Sequence, residues 1–395
     1  MTEIAIVGGC GHVGLPLALA FASVGKRVVA IDIDGAKVER VNAGEMPFRD
    51  RGADIALRQA IAAGLLRATS DADAVTAADA VVTVIATPVD DHLSPRFDII
   101  RDFIGQYRGF FRPGQLLILR STLFPGTTQR VQRLLEEEGL TLDLAFCPER
   151  VAEGVALEEI RNLPQIVAGC TPRSQERAEA LFRQLTPEVV VVEPLAAELA
   201  KLFNNSWRYI QFAVANQFFM IANDCGVDFY DVHRAMTENY PRGKGFPRAG
   251  FAAGPCLFKD TMQLSAFHNN NFFLGHAAML VNEGLPGYLV KMAARRFDLR
   301  SMTVGILGMT FKGDSDDTRD SLAIKLKNIL DAEAHRVLCS DPNLHEPWLT
   351  PQEKTIEESD LLFIGAPHTG YRELDFRDTP VFDPWNIVPE RVQVL

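Results

Sequence analysis

Hydrophobic positions along the first 190 residues fall into short, nearly continuous runs separated by amphipathic stretches. Runs at 4–7, 28–33, 80–85, 116–119 and 144–146 read as strands, and the stretches 15–24 and 128–138 read as helices. Strands apolar on both faces, alternating with helices, predict a parallel sheet covered on both sides. The pattern changes near Glu193-Pro194. From 196 to 225 apolar residues recur at helical spacing without Gly or Pro, with Leu199, Leu202, Phe203, Tyr209, Ile210, Phe212, Ala213 and Phe219 on one broad face. This predicts one long helix closed by Gly226, of the kind that bridges domains or builds dimer interfaces; two core helices broken by a kink are the alternative.

The strand-like texture returns at Met302 and repeats the beginning of the chain. Thr303-Val304-Gly305-Ile306-Leu307-Gly308 echoes Ile4-Ala5-Ile6-Val7-Gly8-Gly9, and Arg336-Val337-Leu338-Cys339-Ser340-Asp341 echoes Arg27-Val28-Val29-Ala30-Ile31-Asp32. The expected fold is therefore α/β: two Rossmann-like doubly wound domains, at 1–192 and 301–395, joined by a central long-helix domain at 193–300. A chain of 395 residues is long enough for that arrangement.

Composition narrows the partners. The formal net charge is −11, which argues against nucleic-acid or membrane-surface binding. No run approaches ~18 apolar residues, so no membrane span is expected. Met1-Thr2-Glu3 leads straight into a strand without a basic segment, unlike a signal peptide. The six cysteines are scattered with no Cys-x-x-Cys pair, which fits neither a disulfide framework nor a zinc site and predicts a cytoplasmic protein with no metal.

Gly9-Cys10-Gly11-His12-Val13-Gly14 follows the first strand, opens a helix, and is followed 18 residues later by Asp32 at a strand end. Gly9 permits the turn, Gly11 lets the backbone approach a pyrophosphate, and Gly14 allows helix–strand packing. Asp32 suits the ribose hydroxyls of NAD and would repel the 2′-phosphate of NADP. Lys37 lies near enough to reach the same ribose or pyrophosphate, or else is a solvated helix charge. Thr87-Pro88 and Ser121-Thr122 occupy strand ends on the edge where open α/β sheets bind ligands. Glu149 and Glu153 are four apart and would share a face if their segment were helical. Lys201 and Asn205, also four apart, project from one face of the long helix among apolar neighbours. Cys256, after a small-residue run and before an apparent helix start with Lys259 nearby, is the best placed of the six thiols to ionise. Its alternative is a structural cysteine. The turn after Gly308 departs from the first, with Met309, Thr310 and Phe311 in its slots, so the second half need not bind a dinucleotide. Lys312 and Arg319 there suit another phosphorylated ligand, or the cofactor across an interdomain cleft.

These pieces in this order resemble the UDP-glucose/GDP-mannose dehydrogenase family, over nearly the whole chain. The resemblance implies NAD-dependent four-electron oxidation of the C6 hydroxymethyl of a nucleotide sugar (UDP-glucose or a UDP-N-acetylhexosamine) to the uronic acid, without metal. It implies Cys256 as nucleophile, carrying a thiohemiacetal and then a thioester. Lys201 and Asn205 would stabilise oxyanions, Asp260 would position water, and Glu149 and Thr122 would serve hydrolysis. Cofactor contacts fall on Gly9, Gly11, His12, Val13, Gly14, Asp32, Lys37, Thr87, Thr122, Glu153, Lys259 and Arg319. Substrate contacts fall on Glu149, Lys201, Asn205, Arg242, Arg248, Gly254, Phe311 and Lys312. The resemblance also implies a homodimer or higher homo-oligomer built on the long helix. Ala253 stands where a Gly is usual and Phe258 where Pro is common, which would reshape the sugar pocket. Pro148-Glu149-Arg150 and Ala366-Pro367-His368-x-x-Tyr371 lean toward N-acetylhexosamine members. A two-electron hydroxyacid dehydrogenase and a non-catalytic NAD-binding protein are the competing readings.

Overall fold

A computed structural model describes residues 3–85, 96–389 and 392–394. The chain divides into two compact units, 1–204 and 205–395.

The first unit is built on eight strands: β1 (Glu3–Val7), β2 (Arg27–Ile31), β3 (Leu66–Thr69), β4 (Ala80–Thr83), β5 (Leu116–Leu119), β6 (Asp143–Phe146), β7 (Gln165–Gly169) and β8 (Val189–Val191). Their order is β3-β2-β1-β4-β5-β6-β7-β8. The order reverses between β1 and β4, the switch point at which such sheets receive ligands. Ile4, Ala5 and Ile6 are fully buried, because helices cover both faces of the sheet. The expected all-parallel sheet fails at one place: β6 and β7 pair antiparallel. The only helix between them, Ala156–Asn162, has seven residues, about 10 Å. That is too short to carry a full crossover, and the rest of the connection is spent in irregular loop.

The second unit contains a four-stranded parallel sheet of β9 (Thr303–Leu307), β10 (Arg336–Ser340), β11 (Leu361–Ile364) and β12 (Val381–Phe382), ordered β10-β9-β11-β12. It also holds the helices Phe229–Thr237, Leu257–Phe267 and Phe273–Ala294. The order reverses between β9 and β11, so the echo in sequence is an echo in topology.

The long helix is one unbroken element, Pro194–Asp224, of 31 residues, about 46 Å in length. It starts two residues before the expected position because Pro194 suits a first helical turn, where its missing N–H is not needed. Gly226, with φ of 70°, ends it as predicted.

Candidate active site

In the first unit the glycine turn closes against the sheet. A Cβ on Gly9 would stand 2.6 Å from the Ile6 carbonyl oxygen and 2.7 Å from Ala30 Cα, and one on Gly14 would stand 2.3 Å from the Gly8 carbonyl oxygen. Both glycines are therefore required by packing. Gly11 differs: its nearest neighbour would be 3.7 Å away, which leaves room on the side from which a ligand approaches. The helix Gly14–Ser23 begins here without a side-chain cap from Val13, as suits a helix end whose amides and dipole meet a pyrophosphate. Asp32 reaches back to the turn, accepting from Cys10 N at 3.0 Å through Oδ2 and from Asp34 N at 3.1 Å through Oδ1. Its carboxylate is thereby fixed while remaining only half-buried. Tight glycines, one open glycine and an oriented carboxylate fit NAD. The His12 and Phe48 rings meet with centroids 4.1 Å apart, tilted by 33°. Lys37 pairs with Asp34 at 3.3 Å on the exposed start of its helix. Thr87 lies outside the described residues.

Glu149 and Glu153 do not share a helical face. Residues 147–152 are irregular, because Pro148 disfavours helix for its predecessor and Gly154 turns with φ of 84°. Instead Glu149 meets Lys201, Oε1 to Nζ at 3.7 Å. Lys201 is 6% exposed, so this cation is held almost wholly inside the protein. Thr122 follows β5 on a loop whose far end is fixed by a residue not foreseen from sequence, Glu198. This carboxylate, 1% exposed, accepts from Gly126 N (2.6 Å), Thr128 N (2.7 Å) and Thr128 Oγ1 (2.6 Å). It caps the helix Thr127–Glu137 from about one turn before Lys201. Burial pushes its pKa up, against the opposing hydrogen bonds. The signal available in sequence was an ionisable residue inside the apolar run, three before Lys201.

In the second unit Cys256 is the N-cap of Leu257–Phe267. It is exposed, and its carbonyl accepts the Asp260 amide at 2.8 Å. A thiol at a helix N-terminus is favoured as thiolate. Burial drives Cys10, Cys147, Cys170 and Cys339 the other way, each to about 12. Asp260 is fully buried and accepts from Asn205 Nδ2 at 2.5 Å through one oxygen, while the other lies 3.4 Å from Lys259 Nζ. Asn205 is itself 7% exposed.

The backbone leading to Cys256 is fixed at two glycines. Gly250 has φ of 142°, exchanges both its backbone hydrogen bonds with the buried Asn216 (3.0 and 2.8 Å), and lies where a Cβ would strike the Trp385 ring at 2.2 Å. Gly254 has φ of 99°, donates to the Asp320 carbonyl at 3.2 Å, and abuts the Phe311 ring, which a Cβ would meet at 2.6 Å. The Cys256 loop and the loop bearing Phe311 and Lys312 therefore support each other directly. Lys312 Nζ lies 5.7 Å from the Phe311 ring centre. Arg319 forks onto Asp317 at 2.9 and 3.0 Å. Arg248 lies over the Tyr230 ring at 5.6 Å, and Arg242 over Tyr240 at 5.2 Å, in an exposed turn. Phe258 packs into an apolar cluster with Tyr209, Ala213, Ala252 and Ala278, so its bulk serves the helix packing.

The turn after Gly308 repeats the first with a different outcome. Asp341, at the end of β10, accepts from Met309 N (2.7 Å), Thr310 N (3.2 Å) and His368 Nε2 (3.0 Å) through Oδ2, and from Asn343 N (2.9 Å) through Oδ1. Its side chain is fully buried. Burial pushes its pKa up, but His368 and the amides outweigh that and hold it below the usual range.

Among the described residues, no helix is long and apolar enough to cross a membrane, and no cluster of His, Cys, Asp and Glu could hold a metal ion.

Compared with known proteins, the chain matches the UDP-glucose/GDP-mannose dehydrogenase family in three consecutive segments. These are its NAD binding domain at 2–186, its central domain at 195–283 and its UDP binding domain at 305–390. It is 27% identical to the UDP-N-acetyl-D-mannosamine dehydrogenase of Pyrococcus horikoshii, with 98% of this chain and 96% of that protein covered. It is 28% identical to the NDP-N-acetyl-D-galactosaminuronic acid dehydrogenase of Ralstonia nicotianae, at 93% and 92% coverage. Among solved structures, a UDP-glucose dehydrogenase from Pyrobaculum islandicum superposes with a TM-score of 0.91 at 27% identity, covering all of this chain and 96% of that one.

Proposed function

The chain belongs to the UDP-glucose/GDP-mannose dehydrogenase family, and from that premise we propose that it oxidises the C6 hydroxymethyl of a UDP-sugar to the carboxylate in two NAD-dependent steps through a thioester on Cys256. Relatives named for N-acetylated sugars support a UDP-N-acetylhexosamine as substrate. The observation that carries the mechanism is the exposed Cys256 at a helix N-terminus, one turn before the buried Asn205–Asp260 pair.

When bound, NAD⁺ accepts the hydride in each oxidation. The turn at Gly9, Gly11 and Gly14, with Asp32, would hold it. The remaining chemistry rests on the chain's own side chains. The Cys256 thiolate adds to the aldehyde carbon and leaves a negative charge on the aldehyde oxygen. Lys201 is suited to stabilise that charge, since its ammonium is already desolvated and strengthened electrostatically. Asn205 spends one N–H on Asp260 and retains a second for the same oxygen. Oxidation of the thiohemiacetal gives a thioester. Water then attacks the thioester carbon, losing a proton to Glu149 as base with Thr122 orienting it, and the Cys256 thiolate departs. A covalent route keeps the aldehyde bound between the two oxidations.

The long helix supports self-association. Phe203, Trp207, Val214, Phe218 and Ile221 are 53, 60, 38, 39 and 52% exposed and recur at helical spacing, an apolar stripe of the kind that a second copy covers.

The deciding experiment offers a panel of UDP-sugars and GDP-mannose and counts NADH formed per sugar consumed. Two per sugar is expected, and one would sink the four-electron mechanism. Cys256→Ala should lower acid formation on the order of 10³-fold or more.

A further inference from the structure

His368 is 2% exposed and belongs to no role assigned above. It stands just past the end of β11, among groups that define its protonation. The Asp314 amide donates to Nδ1 at 2.9 Å, so Nδ1 carries the lone pair and the proton is on Nε2. Nε2 faces Asp341 Oδ2 at 3.0 Å and Thr310 Oγ1 at 3.3 Å. Thr310 Oγ1 donates onward to the Lys312 carbonyl at 2.8 Å. A continuous chain of hydrogen bonds therefore runs from Asp341 and His368 through Thr310 to the backbone of Lys312.

The loop leaves little freedom around that chain. Asp314 adopts φ of 57° and its carboxylate accepts from Thr369 N at 2.9 Å. A Cβ on Gly313 would stand 2.3 Å from the Pro367 carbonyl oxygen, so the turn lies flush against the backbone of 367 and 368. Three consecutive residues, Lys312, Gly313 and Asp314, are thus each fixed by contacts from His368 or its neighbours.

We propose that His368 is a positioning residue for sugar-nucleotide binding: with Asp341 it holds the loop presenting Phe311 and Lys312. The inference rests on the reading of Lys312 as a sugar-nucleotide contact. It accounts for why the strand-end aspartate persists in a unit whose turn carries Met309, Thr310 and Phe311 after Gly308. A neutral imidazole with one donor and one acceptor on opposite edges satisfies an amide and a carboxylate together, which few other side chains can do at that size.

The test uses the full-length chain and steady-state kinetics with whichever UDP-sugar it oxidises. His368→Ala should raise KM for the UDP-sugar on the order of tenfold, leaving KM for NAD and kcat within about threefold. Free imidazole should restore part of the loss, and His368→Gln, whose amide can both donate and accept, should recover more. If His368→Ala does not fold, Thr310→Val decides. It breaks the relay at constant shape and should raise the same KM several-fold. An unchanged UDP-sugar KM in the folded variant, or an equal rise in the KM for NAD, overturns the proposal. Lys312→Met separates the two layers: if it raises the UDP-sugar KM while His368 and Thr310 variants do not, only the positioning role falls. If Lys312→Met has no effect, the assignment of Lys312 falls with it.

Discussion

Two glycine turns, one in each unit, start from nearly the same sequence and come to opposite uses. In the first, each oxygen of Asp32 takes one amide and the carboxylate stays partly open. In the second, Asp341 accepts three amides and an imidazole and is sealed off. The first turn keeps Gly11 with space beside it, whereas the second places Thr310 in a buried relay. The strand, the turn and the acid at the next strand's end are requirements of the architecture. Whether the acid meets a ligand depends on what the chain brings in from elsewhere, here a histidine 27 residues further on.

The largest expected effect breaks the comparison at Asp341. Asp341→Ala removes the shared partner of three amides and His368, and should destabilise folding by about 3 kcal/mol or more, since several buried donors lose their acceptor at once, read by denaturant unfolding. NAD affinity of the folded protein should stay within about twofold. A selective loss of NAD affinity instead would make Asp341 a cofactor ligand and erase the distinction. The reciprocal change is Gly11→Ala, whose Cβ meets only an ordinary contact with the Gly8 carbonyl oxygen at 3.7 Å. It should leave the melting temperature nearly unchanged while weakening NAD binding on the order of 10- to 100-fold by calorimetry. Asp32→Ala should weaken NAD about tenfold and narrow the preference for NAD over NADP, with little effect on stability.

The smallest effect is in pH. Because the folded pKa of Asp341 is lowered, its contribution to stability is fully present above the unfolded carboxyl value near 4. It is lost as pH falls through the lowered folded value. The stability gap between the native chain and Asp341→Asn should therefore be widest at neutral pH and close in acid. A gap that widens on acidification would contradict the lowered pKa.

Much of this was legible in sequence because it is local. The glycine turn, the strands around it and the helix period of 194–224 are written within a few residues of where they act. Cys256 stood out by its neighbours, and the echo of Asp32 in Asp341 marked the second turn. What escaped depends on partners distant in the chain. The antiparallel β6–β7 pair follows from a crossover helix too short for the sheet. Glu149 and Glu153 lie in an irregular segment rather than on a shared helical face, and Glu149 found Lys201, 52 residues away, instead. The apolar cluster against which Phe258 packs is assembled from Tyr209, Ala213, Ala252 and Ala278, which the chain brings from three separate segments. Glu198 shows in sequence only as an ionisable residue inside an apolar run and His368 only as part of a short motif; the partners that give each its role, Thr128 and Asp341, lie 70 and 27 residues away.

The cap supplied by Glu198 has a consequence in time. Gly126, at the N-cap of helix Thr127–Glu137, brings no side chain to do this work, and the carboxylate that does it lies 70–72 residues later. A ribosome adding roughly 5–20 residues per second needs roughly 4–14 s to cover that interval. For those seconds the first sheet can assemble through β5 while the loop that ends at this cap, and the Thr122 it carries, still await their anchor. The order of synthesis thus makes the long helix the last piece of its own unit and the first of the next.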